Sequence, residues 1–99
     1  MIEKLTIRDV HQTAVSSDRI DVYFTIATHT YMLAVVEKEK GMYVPRMVFH
    51  ETTGPCPFCQ KEWKSSDCST LNEQIETLFH RLVEYPNIRL EWLFLNHAY

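Results

Sequence analysis

The sequence predicts an α+β fold: a mostly antiparallel sheet of four to five strands with one amphipathic helix packed on one face, ordered β-β-β-β-α-β. Two observations carry this prediction. Period-two alternation of apolar and polar residues recurs through the first half of the chain and again near its end. Between those stretches lies one continuous stripe at helical spacing.

Leu5 and Ile7 alternate with Thr6 and Arg8, giving a short first strand that ends near Val10. The polar run from Thr13 to Arg19, with Ser16-Ser17-Asp18 at its centre, predicts a turn. Ile20, Val22, Phe24 and Ile26 alternate with Asp21, Tyr23, Thr25 and Ala27, the pattern of a half-buried strand. Tyr31 to Val36 is apolar at every position, as in a central strand covered on both sides. Between these two, Thr28-His29-Thr30 either closes a hairpin or continues one bent strand, because no Gly, Asn or Pro marks a tight turn there. A turn over Glu37 to Gly41 then leads to a strand from Met42 to His50, with Tyr43, Met47 and Phe49 on one face. Pro45 has no N–H for a ladder, so this strand belongs at an edge or carries a bulge.

Residues 51–67 lack apolar periodicity, and a cysteine-containing loop is expected over 51–69. Thr70 followed by Glu73 reads as a capping box, and Leu71, Ile75, Leu78, Phe79, Leu82 and Val83 form the helical stripe. Pro86 disfavours helical geometry at Tyr85, which sets the helix end. Ile88, Leu90, Trp92 and Phe94 alternate with Arg89, Glu91, Leu93 and Leu95 in a predicted last strand.

Composition bounds what this fold can do. Ninety-nine residues predict a single domain, 1–99, with one modest core. The net charge of −3, with lysines and arginines scattered among acids, argues against nucleic acid, which draws a clustered basic face. Tyr31 to Val36 is far shorter than the roughly 20 apolar residues of a membrane helix, so no membrane partner is expected. Met1 to Asp9 lacks the apolar segment of a signal peptide, which predicts a cytoplasmic, reducing setting. In such a setting cysteines serve metals or redox chemistry more often than structural disulfides.

The chemical signal is Cys56-Pro57-Phe58-Cys59. Two thiolates two residues apart can enter one tetrahedral site, and soft anionic sulfur suits zinc. Locally this segment resembles the knuckles of zinc ribbons and rubredoxin-like sites, a likeness confined to these four residues. A closed structural site needs four ligands. Cys68 lies nine positions after Cys59, and His50 six before Cys56, so the predicted metal set is His50, Cys56, Cys59 and Cys68. His80, His29 or Asp67 are the alternatives to His50.

Two other readings compete with zinc. A Cys-x-x-Cys with an internal Pro also occurs in thioredoxin-like enzymes, with Cys56 as attacking thiolate and Cys59 as resolver. No amphipathic helix opens at the motif, however, and too few elements follow it for that fold. Otherwise the cysteines are small buried hydrophobes of a metal-free regulator or inhibitor from a bacterium or phage. Catalytic groups are not apparent. His80 between Glu76 and Glu84 is explained by an exposed helix face, and Gly54 alone cannot cradle a phosphate. The function expected is therefore recognition rather than catalysis: a small binding or adaptor domain with a structural zinc, the redox protein and the metal-free regulator being the alternatives. Its partner would be a protein or a second copy added at Tyr31–Val36 or at the edge beside Pro45.

Overall fold

The computed structural model describes residues 4–16, 18–39, 42–52, 56–59 and 66–88. Strands β1 (Ile7–Ser16), β2 (Arg19–Ile26), β3 (His29–Glu39) and β4 (Met42–His50) form one antiparallel sheet in the order β1-β2-β3-β4. Helices α1 (Ser69–Asn72) and α2 (Ile75–Leu82) follow. Among the described residues the fold is thus mostly strand with a small helical part, α+β in class.

The register explains the core. Ile20 faces Val35, Val22 faces Leu33 and Phe24 faces Tyr31, and Val48 of β4 faces Leu33 in turn. All seven are at most 1% exposed, so one sheet face forms the centre of the molecule. Leu71, Leu78, Phe79 and Leu82 are buried in the same cluster. Each such side chain contributes about 1.5–3 kcal/mol by leaving water. β3 lies between β2 and β4, as its two-sided apolar run predicts, and its other face buries Met32 and Ala34.

Several boundaries differ from expectation, each for a local reason. β1 runs on to Ser16, which pairs with Arg19, so residues 13–16 are strand and not turn. The pairing to β2 overrides the polar composition, because the side chains from Thr13 to Ser16 are exposed at a sheet edge where polar residues cost nothing. The hairpin alternative holds at Thr28: Ile26 pairs with His29 around a two-residue loop, with Ala27 in the left-handed region at φ 55°. Glycine would favour this conformation, and its absence hid the turn from the sequence. Asp9 is also left-handed (φ 55°) and sits where the β1–β2 register shifts between Arg8 and His11, a bulge.

Among the described strands β4 is the last of the sheet, and it carries a bulge at Pro45, as that proline predicts. Ala34 pairs with Met47 but Val35 pairs with Pro45, leaving Arg46 as the extra residue. The extra residue reverses the alternation, so Tyr43 packs against the core while Met47 and Phe49 belong to the opposite face. The three do not share a face.

The single predicted helix is two pieces. Thr70 does not cap it; α1 starts at Ser69 after an extended Cys68, and Gln74, with φ −122°, interrupts the helix before α2. A tertiary contact explains the earlier start. Cys68 N–H donates to the Val48 carbonyl at 2.9 Å, and the Asn72 side chain grips the same edge. Its Oδ1 accepts from Val48 N–H at 2.8 Å, while its Nδ2 donates to the carbonyls of Val48 (3.2 Å) and Cys68 (2.8 Å).

Beyond α2, the Tyr85 hydroxyl donates to the Ile7 carbonyl at 2.8 Å, and the Asn87 amide donates to the Val10 carbonyl. The chain therefore reaches Ile88 beside β1. The last strand expected over 88–95 lies outside the described residues beyond Ile88.

Candidate metal centre

The end of β4 and the chain on either side of the cysteines converge at one corner of the core. His50 is the last residue of β4, and its alternation with Val48 turns its ring to the core face. Opposite it, residues 66–68 run antiparallel to β4: His50 N–H donates to the Ser66 carbonyl at 2.8 Å, and Phe49 bridges Asp67. This pairing carries Cys68 to the site. At this end the cysteine-containing loop pairs with the sheet.

The turn at 57–59 brings Cys56 and Cys59 together. Phe58 N–H donates to Cys56 Sγ at 3.5 Å, the backbone support expected of a knuckle. The donor atoms of His50, Cys56, Cys59 and Cys68 all lie within 4.8 Å of one another. Cys56 and Cys68 sulfurs are 3.9 Å apart, and Cys59 Sγ is 3.3 Å from His50 Nε2. Bond lengths of about 2.3 Å to sulfur and 2.0 Å to nitrogen give tetrahedral edges of about 3.8 and 3.5 Å. Both separations match those edges. Of the alternatives to His50, none joins this group: His80 is exposed, and neither buried His29 nor Asp67 belongs to it.

The surroundings suit metal ligation in two further ways. His50 Nδ1–H donates to the Ser66 carbonyl at 2.8 Å, with Ser66 Oγ at 3.0 Å. A carbonyl can only accept, so the proton resides on Nδ1 and the Nε2 lone pair faces the cysteines. The second is charge. Burial pushes the Cys56 thiol up, but hydrogen bonds from the Tyr31 hydroxyl and the Cys59 and Phe58 backbone outweigh it and bring it down to about 6. Cys68 moves the other way, to about 12. Burial raises it, the Leu71 N–H opposes, and the neighbouring Cys56 and Cys59 sulfurs add to the rise. Three sulfurs this close cannot all ionise without a cation among them.

Composition and spacing alone pointed to the four clustered residues. Tyr31 and Ser66 they did not: Tyr31 reads as one more apolar position of β3, and Ser66 as loop. Nothing in their local sequence marks them, since both act through register with β4. All three cysteines are free thiols. No helix among the described residues is long and apolar enough to cross a membrane. No family model matches the chain, and no curated protein or solved structure matches it either.

Proposed function

We propose that this chain is a small binding or adaptor domain in which His50, Cys56, Cys59 and Cys68 hold a structural zinc ion. One observation carries the reading: four soft or borderline donors from three separated segments converge within 4.8 Å. Four protein ligands would fill a tetrahedral ion completely, leaving no position for substrate or water, so the metal would order the loop and not catalyse. We read α1 and α2 as the helical layer that covers the core face, with Cys68 leading directly into it. Metal binding would then tie the loop to both layers at once.

The redox reading loses ground on access. Its attacking thiolate, Cys56, is fully buried, whereas Cys59 is only half-buried. A low thiol pKa without exposure does not make a disulfide catalyst. As for partners, Tyr31–Val36 is hydrogen-bonded on both sides and cannot accept an added strand. The open stretch is the half of β4 from Met42 to Met47, which has β3 on one side and no described strand on the other. A protein strand or a second copy would add there.

The test is metal content and native mass of protein purified without chelator, for the wild type and Cys68→Ser. The reading expects one zinc per chain in the wild type, lost in the variant together with thermal stability. Protein that carries no metal, and takes none from added zinc, sinks it. In that case a mass two hydrogens light would favour a Cys56–Cys59 couple, and free thiols throughout a metal-free regulator.

A further inference from the structure

Tyr31 is fully buried in the middle of the sheet, and its ring is walled by Phe24, His29, His50 and Phe58 at centroid distances of 5.5 to 6.3 Å. Phenylalanine would fill that space as well. The hydroxyl is the polar part, and among the described residues it meets a thiol: Oη lies 3.1 Å from Cys56 Sγ. Buried tyrosine hydroxyls need such a partner, but a carbonyl would serve more cheaply than a thiol, itself a weak acceptor. The bond becomes strong only when the sulfur is a thiolate.

That condition is the one a metal would impose. Three thiolates and a neutral imidazole around a divalent ion carry −3 and +2, leaving one net negative charge. Cys56 and Cys68 are fully buried and His50 nearly so, so this charge sits away from water. An uncompensated buried charge is costly unless donors face it. Phe58 N–H is one such donor, with a long 3.5 Å bond, and the Tyr31 hydroxyl is the shorter.

We propose that Tyr31 is a positioning residue of this metal centre, its hydroxyl donating to Cys56 Sγ to fix the sulfur and disperse the excess negative charge. The proposal rests on the zinc reading above and adds to it a residue that binds no metal itself. Removing an outer hydrogen bond of this kind lowers metal affinity by about 10- to 100-fold.

The experiment uses the full chain, with cobalt(II) as a spectroscopic stand-in and zinc affinity measured by chelator competition. Tyr31→Phe keeps the ring and removes the donor. It is expected to bind zinc about 10- to 100-fold more weakly. Its sulfur-to-cobalt charge-transfer band is expected to move to lower energy, because a thiolate without a donor holds its electrons less tightly. A purely structural role of the ring would leave that band in place. Should the variant fail to fold, 3-fluorotyrosine placed at position 31 strengthens donation without changing shape, and the band is expected to move to higher energy. Wild-type binding with Tyr31→Phe equal to it in affinity and band position overturns this proposal alone. A wild type that binds neither ion overturns the zinc reading, and this proposal with it.

Discussion

Cys56 and Cys59 divide reactivity from access. Cys56 has its thiol drawn down to about 6, yet it is fully buried, while Cys59 is only half-buried. Alkylation needs both a thiolate and a path for the reagent. The downward shift favours the Cys56 thiolate, but a buried sulfur reacts only when it becomes accessible. Access should win. In chelator-treated protein we expect iodoacetamide to label Cys59 first, Cys56 and Cys68 following together as the loop opens, with peptide mapping over time as the measurement. Cys56 labelled first would mean that the 56–59 turn opens readily without metal.

At the scale of elements, the joint between β4 and α1 carries more than its length suggests. Asn72 makes three hydrogen bonds to the backbone of Val48 and Cys68, closing the β4 edge with a side chain in place of a strand. Asn72→Ala removes all three and leaves the Val48 N–H without its partner. Lost bonds and one unsatisfied buried donor together cost about 2–3 kcal/mol. For a chain of this size that is a fall in Tm of roughly 10–20 °C. Thermal melting of the metal-free variant checks it, and a Tm within a few degrees of the wild type would show that water replaces the amide. Because Cys68 precedes this joint, metal affinity should fall in the same variant.

For the molecule as a whole, the proposed zinc site would make metal binding and folding linked equilibria. An ion that binds the folded chain at 100 times its Kd adds about 2.7 kcal/mol, or upward of 10 °C in Tm. The pH dependence of that gain has a definite sign. Each thiol and the imidazole must be free of protons at the ligating atom, so metal and protons compete, and affinity rises with pH. The zinc-dependent gain in Tm is therefore expected to be largest above about pH 7 and to shrink as pH falls towards about 5. Melting curves with zinc and with chelator, across that range, measure it. A gain that stays constant with pH would exclude thiolate ligation.

How much of this was legible follows from the range of the forces involved. Alternation along Ile20–Ile26 and the apolar run Tyr31–Val36 are local patterns of burial, and they identified β2 and β3 and the central place of β3. Pro45 marked both an edge and a bulge through one missing N–H. The cysteine spacing and the nature of sulfur donors nominated Cys56, Cys59, Cys68 and His50 before any geometry was known. The remaining features depend on partners far along the chain. The left-handed turn at Ala27 is imposed by the pairing of Ile26 with His29, against the preference of alanine. The continuation of β1 to Ser16 is owed to β2, and the start of the helix at Ser69 to Val48. Tyr31 meets Cys56 only because β3 lies beside β4, whose end holds the loop. Side-chain chemistry and periodicity are written residue by residue, so they were enough to mark β2, β3, a helical region and the four donors. Register and bulges are set by contacts across the sheet, so the convergence of those donors, and the groups they meet, emerge in three dimensions alone.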